Sequence, residues 1–315
     1  MKRRRCVMSM TWAMVRCVNE KSISNSEKHE GDRSDRSAGA ILVAEHRQGW
    51  LPAWDGSYAA NTAHHRAVDE WFLQHFPSNK SDRVLDIGCG TGDFTAIVAE
   101  RVPDGEVIGA EPQSSLLLEA ESVKRPNQRF EQVDAQHLGT VFTPESFDAA
   151  FSRAVFQWIP ARDYPGIFEA VRRLIKPGGW FRLECGGAGN IKAILPFLTA
   201  VSANHGGPPP PWTFLDPGTV MELLADAGFT LTPPSGATMA GYVNSVAQRR
   251  PFSRESLIGW MRSQCYQGFE IDMPPANHAA YRAEVEARID ELQRADGTYD
   301  LTYVRIDALV YRPAS

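Results

Sequence analysis

Between Arg83 and Cys185 the chain alternates short apolar runs with segments whose apolar residues recur at helical spacing. The runs Arg83–Ile87, Glu106–Ala110, Arg129–Val133, Phe147–Phe151 and Trp180–Cys185 predict strands. The stretches Asp93–Arg101, the segment from Ser114, and Tyr164–Leu174 predict helices between them. Strand and helix in strict alternation predict an α/β fold, because parallel strands need crossover helices that cover the sheet.

The flanks follow other patterns. Val68, Trp71, Phe72 and Phe76 predict an amphipathic helix from Tyr58 to Phe76, closed near Pro77. After Cys185 a loop with Gly186, Gly187 and Gly189 leads to a helix over Ile191–Asn204, and the run Pro208–Pro211 cannot be helix interior. Helical patterns at Leu223–Phe229, Arg254–Phe269 and Asn277–Arg294 precede a last strand, Tyr303–Tyr311, and no internal repeat is present.

With 315 residues, 43% of them hydrophobic, the chain can bury a full core. The formal net charge is −5. Nine Lys/Arg against five Asp/Glu make the first 38 residues +4, leaving −9 on the rest, so the folded body is acidic and argues against a nucleic-acid partner. The apolar run Cys6–Val15 imitates a signal peptide, but Arg16 ends it without a small-residue cleavage pattern. Asn19–Ser37 is almost devoid of apolar residues and reads as a mobile tail. Cysteines at 6, 17, 89, 185 and 265 have neither metal-ligand spacing nor an even count, and no apolar run approaches a membrane span. A cytoplasmic protein without metal or membrane is expected. A homo-oligomer is compatible with this reading.

The chemistry concentrates in Val84-Leu85-Asp86-Ile87-Gly88-Cys89-Gly90-Thr91-Gly92-Asp93. A strand runs straight into three alternating glycines and then a helix, so a nucleotide-like ligand can lie against bare amides. Dinucleotide enzymes use a related loop with Gly-x-Gly-x-x-Gly spacing, whereas Gly88, Gly90 and Gly92 give Gly-x-Gly-x-Gly with Asp86 two residues ahead.

That arrangement resembles motif I of class I S-adenosylmethionine (SAM)-dependent methyltransferases. The resemblance implies a Rossmann-like, seven-stranded, mainly parallel sheet flanked by helices, with a helical cap. It implies SAM as cofactor, with Asp86 near the ammonium of its amino-acid end. Glu111, 21 residues after Gly90, ends the second strand where a carboxylate can accept both ribose hydroxyls. Asp134, with Ala135 and Gln136, follows the third strand, where the family has an acid facing the adenine amino group. Cys89, Pro112 and Ser152 complete the expected cofactor contacts. Lys176-Pro177-Gly178-Gly179 is a turn before the fifth strand and carries no chemistry. The expected organisation is a tail (1–50), a cap helix (51–80), a SAM-binding core (81–190), helical cap and substrate insertions interleaved with the core (191–300) and a final strand (301–315).

From Trp54 to Pro313 the chain is similar to the trans-aconitate methyltransferase-like branch of small-molecule enzymes, through Trp54-Asp55 with Tyr58 and the run Ser152-Arg153-Ala154-Val155-Phe156-Gln157-Trp158-Ile159-Pro160. Cations suited to a polycarboxylate are few: Arg153, Arg262 and Arg66. Trp54, Tyr58, Trp158, Trp212, Trp260 and Tyr266 supply more aromatic surface, so the expected acceptor is an apolar or aromatic secondary metabolite. Tyr58, Gln157, Trp158, Arg262 and Tyr266 are the acceptor-contact candidates, with Trp260 assigned to the core.

Methyl transfer is an in-line displacement governed by alignment and water exclusion, and a base is needed only where the acceptor loses a proton. His64 and His65 are the base candidates, since imidazole titrates near neutrality. Cys89 and Cys185 read as small apolar packers. Two rivals stand beside this reading: an NAD-dependent oxidoreductase, and a SAM-binding protein that transfers no methyl group.

Overall fold

Along strand β1, Arg83–Ile87, the side chains of Leu85 and Ile87 enter one core and that of Val84 another on the opposite face, so Asp86 shares the face of Val84. The computed structural model describes residues 72–73, 76–237 and 239–314. The chain divides after Leu42, and all described residues belong to the second unit, Val43–Ser315. The basic start, the polar tail, most of the Tyr58–Phe76 helix, and the candidates Tyr58, His64 and His65 lie outside the described residues.

Seven strands form one sheet in the order β3-β2-β1-β4-β5-β7-β6. Strands β1, β2 (Glu106–Ala110), β3 (Gln128–Glu131), β4 (Phe147–Arg153) and β5 (Ile175–Gly186) run parallel. Strand β7 (Tyr299–Tyr311) is antiparallel both to β5 and to β6 (Tyr242–Phe252). The chain winds outward from β1 to β3, then returns to β4 on the other side. The crevice above the carboxyl ends of β1 and β4 is thus the topological switch point, where open α/β sheets bind ligands.

Each face has its own cover. Helices α3 (Leu138–Val141), α4 (Tyr164–Leu174) and α6 (Pro217–Asp226) bury Leu138, Ile167, Phe168, Val171, Val220 and Leu224 against Ile87, Ala150, Phe181, Leu183 and Ala308. On the other face Phe72, Phe76 and helix α1 (Asp93–Ala99) pack against Val84, Val107, Phe151, Trp180 and Leu309. Phe76 meets Trp180 edge-on at 4.7 Å and Phe151 at 5.4 Å, contacts of the kind that add about 0.5–1.5 kcal/mol beyond area burial. Helix α2 (Ser114–Ser122) links β2 to β3.

The cap grows out of the sheet itself. The last pairing of β5 with β7 is Gly186 with Arg305, while residues 299–304 of β7 pair as a strand with β6. Because β7 runs against its neighbours, this stretch projects beyond the carboxyl ends of the parallel strands. Helices α5 (Leu195–Asn204), α7 (Arg254–Gln264), α8 (Tyr266–Glu270) and α9 (His278–Arg288) pack Leu198, Leu257, Met261, Tyr266, Phe269, Tyr281 and Val285 around Tyr299, Leu301 and Tyr303 of this ribbon.

Several boundaries differ from the sequence expectation. Strand β6 was not anticipated: it is an edge strand whose positions are half-buried or exposed, so its hydrophobic alternation is weak. It places residues 242–252 of the expected cap insertions in the sheet. The single helix expected over Arg254–Phe269 breaks at Cys265 (φ −123°, ψ −43°) into α7 and α8. The helix expected at Leu223–Phe229 starts earlier, at Pro217, where Asp216 caps it by accepting from the Thr219 amide at 3.0 Å, and it ends before Gly228 at φ +85°.

Candidate cofactor and acceptor site

The glycine loop is built by its neighbours. The amides of Gly88 and Cys89 both donate to the Ala110 carbonyl, at 2.8 and 3.2 Å, folding the loop back over the end of β2. Gly88 sits at φ +76°, and a Cβ there would lie 2.2 Å from Val155 Cγ2, so both backbone and packing demand glycine. At Gly90 (φ +56°) a Cβ would meet no atom of the described residues within 4 Å, so the space above this residue is open among them. Gly92 caps α1 in the left-handed conformation at φ 77°.

Three acidic groups close the ends of β1, β2 and β3. Asp86 is buried and accepts from Thr95 Oγ1 at 2.6 Å. Burial pushes its carboxyl up to about 7, against the Thr95 hydrogen bond and the attraction of Arg153; nearby Glu111 adds to the rise. Glu111 is also buried; its Oε2 accepts from the Gly90 amide at 3.2 Å and its Oε1 from the Gln113 amide at 3.0 Å. Desolvation raises this carboxyl, and the two amides oppose the rise. Each carboxylate oxygen retains a second lone pair, so the acceptors expected for a ribose diol remain. Asp134 caps the turn Ala135–His137, its Oδ1 accepting from the His137 amide at 3.0 Å and from His137 Nδ1 at 2.6 Å.

Other expected cofactor residues make contacts within the scaffold. Ser152 is fully buried and donates to the Ile87 carbonyl at 2.8 Å, stitching β4 to β1 at the switch point. Ala135 packs in the core, Gln136 donates to Asp163 Oδ2 at 3.3 Å, and the Pro112 carbonyl accepts from Gln132 at 3.0 Å. Cys89 packs against Gly109, where a Cβ would lie 2.7 Å from its Sγ. Burial raises the thiols of Cys89 and Cys185, the latter to about 12, which keeps both protonated at neutral pH. Among the described residues no group of three or more His, Cys, Asp or Glu is arranged to hold a metal ion, and no helix is long and apolar enough to cross a membrane.

The acceptor candidates separate. Gln157, expected to touch substrate, is buried and uses both amide atoms internally: Nε2 donates to the Ala154 carbonyl at 2.8 Å and Oε1 accepts from the Gly186 amide at 3.2 Å. Its backbone carbonyl accepts from the Thr213 amide at 2.8 Å, which ties the segment holding Trp212 to the end of β4. Trp158 meets Trp212 edge-on at 5.4 Å, and Trp212 stacks with Phe214 at 6.4 Å and meets Phe269 at 5.5 Å. The half-buried rings of Trp158, Trp212 and Phe214 form an aromatic wall after the carboxyl end of β4, backed by buried Phe269. Arg262 and Tyr266 do not form a second one. The break at Cys265 removes the shared helical face, leaving Arg262 exposed in a two-bond pair with Glu286 (2.8 and 2.9 Å) and Tyr266 buried against Tyr281. Trp260 is in the cap core, as its spacing suggested.

Beside Arg153, which the sequence reading named, the structure adds two cations, Arg305 and Arg250. Arg153, at the end of β4, stacks over Phe94 at 4.1 Å and Phe72 at 5.1 Å. Opposite it in register on β5 is buried Glu184, which pairs with Arg305 of β7 at 2.5 Å. Arg250 of β6 is half-buried, packs over the Tyr303 ring at 4.9 Å and donates to Gln248. The alternation of β7 was the available signal, since Arg305, Asp307 and Leu309 share one face.

Comparison with known proteins points to methyl transfer. Residues 84–179 match the family described as a methyltransferase domain. The chain carries a methyltransferase domain. A trans-aconitate 2-methyltransferase of Deinococcus radiodurans is 32% identical over 165 residues, covering 48% of this chain and 60% of that protein. One of Methylobacterium radiotolerans is 27% identical over 252 residues, covering 77% of this chain and 91% of the relative. Among solved structures, the YcgJ protein of Bacillus subtilis superposes with a TM-score of 0.54 at 17% identity, covering 80% of this chain and all of that one. A phosphoethanolamine N-methyltransferase 2 of Haemonchus contortus in complex with SAM gives 0.51 at 18% identity, covering 82% of this methyltransferase and 56% of that chain. Both share the fold. The cofactor of the family is SAM, which fits the open space over Gly90 and the spare acceptors of Glu111.

Proposed function

We propose that this methyltransferase moves the methyl group of SAM to a small apolar or aromatic acceptor seated between the carboxyl edge of the sheet and the helical cap. The cofactor supplies an electrophilic methyl group. Glu111 accepts from the ribose, Asp134 from the adenine amino group, and Asp86 balances the ammonium, so the charge of the cofactor's amino-acid end meets a carboxylate already held by Thr95. The cap excludes water, and the rest of the rate gain comes from alignment of the acceptor atom with the methyl carbon. For an acceptor that must lose a proton, His64 or His65 is the base we propose.

The observation that carries the apolar acceptor is the aromatic wall of Trp158, Trp212 and Phe214, fastened to the cofactor edge through Gln157. Incubating the protein with methyl-labelled SAM and a metabolite extract, then separating labelled products, tests it. Label on phenolic or other aromatic products is the expected result; absence of any labelled small molecule overturns the proposal.

A second reading has its own support. By strand register Arg153, Arg305 and Arg250 share one face of the sheet, and the relatives described above are named for trans-aconitate. Under this reading the acceptor carries carboxylates. A parallel incubation with di- and tricarboxylic acids separates the two, and methyl-ester formation there would favour it.

A further inference from the structure

The turn after β3 carries a pairing that the cofactor reading does not use. Asp134 is two-thirds buried and His137 is exposed, with side-chain exposures of 35% and 64%. Both donors that reach the carboxylate, the His137 amide and the His137 ring, go to the same oxygen, Oδ1, at 3.0 and 2.6 Å. Oδ2 takes no hydrogen bond from the described residues. An ionised carboxylate only accepts, so His137 Nδ1 carries the hydrogen in this contact.

Geometry gives the pair a consequence. The terminal torsion of an aspartate is broad, and a single donor on one oxygen leaves the carboxylate free to turn about that contact. A second donor, from the ring, arrives from another direction and fixes the plane. Ala135 and Leu138, the buried residues that follow Asp134 and His137 respectively, anchor the turn in the core, and Gln136 ties it to Asp163 at 3.3 Å. Oδ2 is then the one acceptor left, in a set orientation, at the end of the strand next to β2 and Glu111.

We propose that His137 is a positioning residue for cofactor selectivity: by holding Oδ1 of Asp134 it aims Oδ2 at an exocyclic amino group on the cofactor's purine. The proposal rests on the reading that Asp134 faces the adenine. It assigns to His137 a part in telling a 6-amino from a 6-oxo purine, because the fixed lone pair rewards a donor and repels an oxygen. His137→Ala removes the ring but keeps the backbone amide that caps the turn, so the turn persists while the carboxylate regains its rotation.

The test is binding of S-adenosylhomocysteine and S-inosylhomocysteine, measured by calorimetry on the full chain and on Asp134→Ala, His137→Ala and His137→Asn. The full chain should prefer the adenosyl compound by about 10- to 100-fold, and Asp134→Ala should bring that ratio close to one. His137→Ala should lower the ratio several-fold with the melting temperature little changed, and His137→Asn, which keeps a side-chain donor, should recover part of it. No preference in the full chain, or an unchanged ratio in Asp134→Ala, would remove the adenine reading itself. A collapsed ratio in Asp134→Ala with a full-chain ratio in His137→Ala would overturn the positioning role alone. Equal loss of both ligands in His137→Ala would do the same, since it would mark a merely structural effect.

Discussion

The amide of Gly90 donates to Oε2 of Glu111 at 3.2 Å, joining residues 21 positions apart into one hydrogen-bonded unit of loop and strand end. The cofactor contacts expected from two separate motifs are therefore mechanically linked. A change at either should be felt at both.

For Glu111 this means that Glu111→Ala loses the ribose acceptor and releases the loop together. SAM affinity should fall by about 10- to 100-fold, the cost of one to two hydrogen bonds to a charged group. Calorimetric titration checks it; wild-type affinity would show that the ribose lies elsewhere.

Gly88 and Gly90 should fail in different ways. Gly88→Ala places a Cβ 2.2 Å from Val155 Cγ2 and should lower the melting temperature, with partial rescue by Val155→Ala. Gly90→Ala meets no atom of the described residues within 4 Å, so beyond about 1–2 kcal/mol of left-handed strain its effect should be on SAM affinity. Thermal melts and titrations of both variants read the difference.

Asp86 makes stability depend on pH. Its folded carboxyl is raised from 3.8 to about 7, so the folded chain holds a proton that the unfolded chain releases. That contribution to stability is complete below about pH 4 and is lost as pH rises toward and through 7. In urea titrations without ligand at pH 5 and pH 8, Asp86→Asn should lose less stability between the two than the parent chain. Equal losses would rule this out.

Arg182 and Asp307 form a buried ion pair at 3.1 Å, and the Arg182 guanidinium also donates to the Phe72 carbonyl and lies 4.0 Å from the centre of its ring. Arg182→Leu strands a buried carboxyl and should cost about 3–5 kcal/mol, whereas Arg182→Leu with Asp307→Leu should recover much of that loss. Chemical denaturation of both variants is the measurement, and equal stability of the two would show that the pair is not the source.

Arg262, by contrast, should be dispensable. Its pair with Glu286 is solvent-exposed, so Arg262→Ala should change stability by less than about 1 kcal/mol and leave turnover of the identified acceptor unaltered. A large rise in KM would return this residue to the acceptor site.

Much of this protein is written in short stretches of chain. The boundaries of β1, β2 and α4, the glycine loop, and the positions of the carboxylates within β1 and after β2 and β3 were readable because each depends on about ten neighbouring residues: strand alternation, helical period, and left-handed positions that need glycine. The acceptor side was not. The position of Gln157 and Trp158 just after β4 could be read from the sequence, but which polar atoms remain for a ligand depends on the amide of Gly186, 29 residues away. Arg262 and Tyr266 parted because helix α7 ends at Cys265, where tertiary packing overrode a continuous helical pattern. Strand β6 exists because β7 offers it an edge, and Arg182 finds Asp307 across 125 positions. Local sterics and periodicity act along the chain and leave a trace in composition and spacing. The pairing of buried charges and the use of spare hydrogen-bonding atoms are settled only when distant segments compete for the same partners in the folded core.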